Sequence, residues 1–178
     1  MWKKIALSVV VIIAGFLGYV STREGKFHYE RSGYINASQS ENLPNLSNLR
    51  LGSERSPYEA KDKAMKKTYS GTDGAVGSAL DFEGNSDVGA GRVEVIAIHP
   101  DNSVELRLTM TKPMVVENKI IYKLMQVEQG SVFTWVMEGD SGFMGKLFCI
   151  FIDCDKMMGD DFAKGISNLK TIIEGKKA

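Results

Sequence analysis

The sequence predicts an α+β fold in which sequential antiparallel strands are covered by a long C-terminal helix. Three stretches carry that expectation. Ser103–Thr111 alternates: Val104, Leu106, Leu108 and Met110 fall on one face, Glu105, Arg107, Thr109 and Thr111 on the other. This is the two-residue period of a strand with one packed side. Gly130–Gly139 repeats the pattern, with Phe133, Trp135 and Met137 set against Thr134, Val136 and Glu138. In Gly142–Lys176, Phe162, Ile166, Leu169 and Ile173 recur at spacings of four, three and four. Lys164, Ser167, Asn168, Lys170 and Glu174 fill the other faces, as expected of a helix laid on an apolar surface.

From the N-terminus, Ile5–Val20 carries no charge, follows Lys3 and Lys4 and precedes Arg23, Glu24 and Lys26. At ~1.5 Å per residue it reaches about 24 Å, close to the ~30 Å hydrocarbon core of a bilayer. Trp2 and Tyr19 stand near its ends, where amphipathic aromatics favour the interface. The expectation is an uncleaved transmembrane anchor over residues 1–22, single-pass in the cytoplasmic membrane, followed by one domain over residues 23–178. A signal peptide is the alternative, but Gly18-Tyr19-Val20 and Val20-Ser21-Thr22 are poor cleavage sites. A buried helix is disfavoured because the segment has no polar stripe. Lys3 and Lys4 hold the N-terminus in the cytoplasm, which puts the domain on the extracytoplasmic side.

Lys26–Asn36 has strand character. Ser38 or Ser40 can cap the next element, Gln39–Leu51, where Leu43, Leu46 and Leu49 suit one or two short helices and Pro44 imposes a first turn or a break. Ser53–Lys67 is polar and predicted as loop. Strands follow at Lys67–Ser70, Ser78–Glu83, Gly91–Ile98, Ser103–Thr111, Val116–Glu128 and Gly130–Gly139, separated by clusters of turn residues. Sequential strands with short turns argue a meander.

The 178 residues suffice for one domain with a core, and a net charge of zero gives no field that favours nucleic acid. Lys66-Lys67 and Lys176-Lys177 read as solvated surface. Cys149 and Cys154, placed on one helix, would point about 140° apart. They are therefore expected to be free thiols, without a disulfide or a zinc site. His28 and His99 have no nucleophile placed beside them and read as strand or surface residues. Asp153, Asp155, Asp160 and Asp161 diverge around a helix, a solvated face rather than a cation site. Asp140 and Ser141 are candidate caps for the closing helix. There is no G-x-S-x-G, and Gly71, Gly74 and Gly77 are turn residues rather than a phosphate loop.

Several segments carry a resemblance. Tyr29-Glu30-Arg31-Ser32 leads to Ile35-Asn36-Ala37. Thr68-Tyr69-Ser70-Gly71 and Phe82-Glu83-Gly84-Asn85 precede Val88-Gly89-Ala90-Gly91-Arg92. Thr134–Gly139 is followed by Asp155–Gly159, Asp161–Ile166 and Asn168-Leu169-Lys170. In order and spacing, over about residues 26 to 175, they resemble the SRPBCC, or START-like, superfamily, which includes polyketide cyclase/dehydrase-like proteins and a membrane-anchored bacterial branch. The resemblance implies a helix-grip fold: a curved antiparallel sheet wrapped around the long C-terminal helix, with two short helices after the first strand and a cavity for apolar ligands between sheet and helix. One departure stands in Leu49–Tyr58. Ser56-Pro57 and Tyr58 are present, but Leu51 replaces an aromatic, so the mouth of the cavity differs.

The candidate cavity residues are Phe82, Leu106, Leu108, Met110, Tyr122, Leu124, Phe133, Trp135, Met137, Met158 and Phe162, with Phe151 as a further helix candidate. Tyr69, Glu83, Arg92 and Arg107 are candidate polar anchors, although alternation sets Arg107 opposite Leu106 and Leu108. The function expected is a membrane-anchored domain binding an apolar small molecule or lipid without catalysis. The alternatives are a cyclase- or hydratase-type enzyme using the same cavity, or a structural or interaction domain. No catalytic residue, metal, cofactor or nucleic-acid partner is implied.

Overall fold

The computed structural model describes residues 1–175. An N-terminal helix α1 (Trp2–Thr22) leads into strand β1 (Lys26–Ile35) and three short helices, α2 (Gln39–Ser47), α3 (Leu49–Arg55) and α4 (Tyr58–Lys61). A meander follows: β2 (Lys66–Ser70), β3 (Ala79–Glu83), β4 (Ala90–Ile98), β5 (Ser103–Lys112), β6 (Val116–Val127) and β7 (Gly130–Asp140). Helices α5 (Gly142–Phe151) and α6 (Cys154–Gly175) close the chain. The predicted end of the closing helix at Lys176 and the Lys176-Lys177 pair lie outside the described residues.

The seven strands form one antiparallel sheet in the order β1-β7-β6-β5-β4-β3-β2, so the first strand closes against the last. The sheet curves around α6, whose Phe162, Ile166, Leu169 and Ile173 are buried against Ile35, Val95, Val104, Leu106, Phe133 and Trp135. This is the helix-grip α+β architecture. Two glycines let α6 come this close. A Cβ on Gly165 would stand 2.5 Å from the Trp135 ring, and one on Gly159 would collide with the Arg31 guanidinium.

The short helices have local causes. Ser38 and Glu41 form a capping box at the start of α2, and the Asn48 carboxamide oxygen accepts from the amides of Arg50 (2.9 Å) and Leu51 (3.2 Å) to start α3. Pro44 lies inside α2, which ends three residues later. Buried Asn42 donates to Ser131 Oγ (2.7 Å) and ties α2 to β7. There are three short helices rather than the two expected, because Pro57, at φ −65°, starts an extra turn in the stretch predicted as loop.

The closing stretch departs from the prediction. Instead of one helix, it breaks at Ile152, where the backbone turns extended (φ −128°, ψ 138°), and the Asp153 carboxylate accepts the Lys156 amide at 2.9 Å to start α6. The expected free thiols are corrected with it. Cys149 ends up on α5 and Cys154 on α6, the corner brings their Cα atoms to 5.5 Å, and they form a disulfide. The angular argument against pairing assumed a continuous helix, and the corner removes that assumption. Asp140 accepts the Gly142 amide (2.8 Å), whereas Ser141 Oγ donates to the Gly25 carbonyl (3.0 Å) and so fastens the start of α5 to the connection between α1 and β1.

Gly165→Ala is expected to destabilise the protein. The clash with a stacked indole costs about 3 kcal/mol, and the gain in helix propensity returns about 1 kcal/mol. Thermal unfolding followed by circular dichroism should show a lower Tm; an unchanged or raised Tm would mean that α6 does not press on Trp135.

Candidate functional site

The interior between sheet and α6 divides into a filled half and an open half. Strand register explains the division. Val104, Leu124 and Phe133 lie toward the sheet end that β1 leaves, where Leu46 of α2 and Ile166, Leu169 and Ile173 of α6 fill the space. Toward the opposite end, Leu80, Val93, Leu108 and Asn118 come side by side across β3, β4, β5 and β6, followed by Phe82, Gly91 and Met110. There α6 presents Met158 and Phe162 to the opening, while Gly159 is covered by the Arg31 guanidinium. The result is a cavity of about 330 Å³.

Eight of the residues predicted from sequence line it: Phe82, Leu108, Met110, Tyr122, Trp135, Met137, Met158 and Phe162. Leu106, Leu124 and Phe133 do not. They face inward on the same strands but are fully buried in the filled half, so they belong to the packed core. Phe151 is corrected as well: the helix break leaves it on α5, three-quarters exposed, with its ring 6.2 Å from Phe16 of α1. None of the predicted polar anchors lines the cavity. Arg92 pairs with Asp81 (2.7 Å), Glu83 with Lys112 (2.8 Å) and Arg107 lies near Glu94 and Glu117, while the Tyr69 hydroxyl donates to Ser53 Oγ (3.0 Å).

At the inner end of the cavity the rings interlock. Trp135 stacks on Phe162 with centroids 4.7 Å apart and planes 8° apart, and Tyr122 meets Trp135 edge-on at 5.2 Å. Trp135 Nε1 is buried without a hydrogen-bond partner among the described residues.

Most of the polar wall comes from α3, α4 and the turn between them, which sequence reasoning missed by assigning Ser53–Lys67 to loop; Asn118 of β6 adds to it. Arg55, at the end of α3, is buried. It donates through Nη1 to the Asn45 carbonyl and through Nη2 to the Leu46 carbonyl (3.5 Å), and its guanidinium lies 5.2 Å from the centre of the Tyr122 ring. Burial lowers its pKa, partly offset by Tyr122. Loss of solvent is also the main cause that raises the Tyr122 phenol and the neighbouring Tyr58 phenol above the ordinary tyrosine value. Glu59 in the same wall is held by Lys67 at 2.6 Å. Nothing in the local sequence separates Arg55 from a surface arginine; the contact between α2 and α3 decides its burial.

Away from the cavity, His28 is exposed between Glu138 (2.9 Å) and Glu30 (3.3 Å), and His99 is exposed near Glu105. The helix aspartates diverge: Asp155 pairs with Arg31 (2.9 Å), Asp160 with Lys156 (2.6 Å) and Asp161 with Lys61 (2.6 Å). Among the described residues, no group of three or more His, Cys, Asp or Glu side chains is placed to hold a metal ion.

No protein-family model matches the chain, and no curated protein matches it. Solved structures do. Norcoclaurine synthase from Thalictrum flavum, a point mutant in complex with a transition-state analogue, is 12% identical with a TM-score of 0.66, over 88% of this chain and 99% of that one. Major latex-like protein 151 from Panax ginseng is 14% identical with a TM-score of 0.55, over 83% and 97%. The Aha1 protein from Colwellia psychrerythraea, solved as a dimer, is 18% identical with a TM-score of 0.55, over 83% and 96%. At such identities the likeness is one of fold. It is the START-like, or SRPBCC, fold that the sequence motifs resemble.

Because Tyr58 and Tyr122 are held neutral by burial, the native protein should show late-ionising phenols in a titration of tyrosinate absorbance. The folded state binds these protons more tightly than the unfolded chain, so their contribution to stability is present below about pH 10 and falls as pH rises above it. Tyr58→Phe and Tyr122→Phe should each remove one late-titrating group; loss of an early one instead would place that phenol in water.

Proposed function

We propose that this chain is a membrane-anchored START-like domain that holds an apolar small molecule or lipid between its sheet and α6. The observation that carries the reading is the cavity. Protein interiors close-pack and leave few voids larger than a water molecule. Here about 330 Å³ stays open beside a filled half-core, within the ~300–1,000 Å³ typical of ligand pockets, and its wall is mostly apolar. Binding is favoured over catalysis. Among the described residues the wall holds no histidine or cysteine, and its carboxylate, Glu59, is tied to Lys67.

Residues 1–22 serve as the anchor in this reading and residues 23–178 as the binding domain. Helix α1 has 21 residues and a mean hydropathy of 2.2 in its most apolar window, of which 6% is buried. Such a surface has no partner in water. Helix α5 packs beside it and exposes Phe143, Met144, Phe148 and Phe151, and Ile152 just after it is exposed as well. Lys146 Nζ donates to the Ser21 and Arg23 carbonyls at 3.0 Å, at the end of α1. An apolar helix fixed at the mouth of a transmembrane segment fits the bilayer interface. The Cys149–Cys154 disulfide supports the extracytoplasmic side, because cytosolic thiols are kept reduced.

Native mass spectrometry of the full chain released from lipid nanodiscs should show one apolar molecule per chain, recovered by organic extraction. Leu108→Trp, which fills the middle of the cavity, should abolish it while the far-UV spectrum stays unchanged. A wild-type protein that carries nothing and takes up nothing would sink the reading. Protease added to sealed, right-side-out membrane vesicles should digest the domain and leave a short membrane-bound stub; protection of the domain would reverse the orientation.

A further inference from the structure

Arg55 sets a condition on the occupant. The residue is 3% exposed, yet the groups around its guanidinium are two carbonyls and the neutral Tyr122 phenol, through both ring and hydroxyl. The carbonyls of Asn45 and Leu46 belong to the last turn of α2, where carbonyls lack intrahelical partners. They supply partial charge and take some of the five guanidinium N–H donors. No carboxylate pairs with Arg55 among the described residues. The Glu59 carboxylate in the same wall is neutralised by Lys67, and the rest of the wall carries no charge: Leu80, Phe82, Leu108, Met110 and Met137 are apolar, and Ser53, Ser56 and Asn118 are neutral polar groups. The cavity therefore carries one uncompensated positive charge, at its inner end beside Tyr122 and Trp135. A buried cation without a counter-charge is costly, and a charge-assisted hydrogen bond to an anion relieves that cost.

We infer that the occupant is an acidic amphiphile, with a carboxylate or phosphate monoester head seated at Arg55 and an apolar tail lying along Leu108, Met110 and Phe82. This rests on the binding reading above and adds the chemistry and direction of the ligand. Arg55 is the recognition point, and the fork of its guanidinium suits two oxygens of one head.

The test uses the full chain in phosphatidylcholine nanodiscs with Trp2→Phe, which leaves Trp135 as the sole tryptophan and reporter. Ten-carbon probes with different heads are added: decanoate, decyl phosphate, decan-1-ol and decyltrimethylammonium. Decanoate or decyl phosphate should bind most tightly, and which of the two binds better separates a carboxylate source from a phosphate source. Arg55→Met should weaken acid binding by about tenfold or more relative to its effect on decan-1-ol, a ratio that cancels partition into lipid. Arg55→Gln replaces it if the methionine variant does not fold, and the ranking of heads on the wild-type side chain stands without either. If decan-1-ol or the cation binds as tightly as both acids, the inference is overturned and the apolar cavity remains. If no probe binds, the binding reading falls with it.

Discussion

The close contact between α6 and β7 is the constraint on which the rest of the structure depends. Gly165 admits the Trp135 ring, Trp135 stacks on Phe162, and Tyr122 closes edge-on against Trp135. That contact fixes the depth at which the helix lies in the curved sheet. On one side of it, α6 offers Ile166, Leu169 and Ile173, and the sheet answers with large apolar residues. On the other it offers Met158, and the space beside it remains open. The cavity thus lies beside the N-terminal part of one helix, held at a depth set by Gly165.

The corner between α5 and α6 has a matching role. A straight helix through residues 142–175 would either pull α5 under the sheet or lift α6 out of it. The break at Ile152 lets α6 enter the sheet while α5, apolar and without acidic residues, stays with α1. The disulfide spans this corner and makes the two directions one unit. By strand register the open half of the interior lies toward the sheet end where β1 begins and β7 stops, the end to which α1 and α5 attach.

Much of this was legible in the sequence, for a physical reason that also marks where legibility stops. Strands with one packed face write their period directly: Ser103–Thr111 and Gly130–Gly139 were readable from alternation alone, as was the buried face of α6. Which buried residues touch a void was not. Leu106 and Leu108 share a strand face, and only pairing with neighbouring strands puts one in the core and the other in the cavity wall. The helix break was hidden because Leu147–Ile152 is apolar like the stretch before it, and the stop depends on Asp153 acting as a cap. The disulfide was lost with the break. Arg55 was hidden for a different reason: its burial follows from α2 and α3 packing together, a tertiary event with no local signature.

That last case shows why the least legible residue carries the inference about the ligand. An apolar wall can be filled by many sequences and accepts many ligands, so its residues say little beyond size and dryness. A charge in the same wall is different. Burying a guanidinium opposes folding unless something compensates it, and the carbonyls at the end of α2 do so only in part. The sequence nevertheless places Arg55 there, over Tyr122, while binding off the nearby Glu59 with Lys67 instead of turning it toward the arginine. A neutral pair and an unpaired cation in one wall leave a site polarised at a single point. An apolar molecule alone gains nothing from that point; a molecule with one anionic end gains both the apolar wall and the charge, and can lie in only one direction.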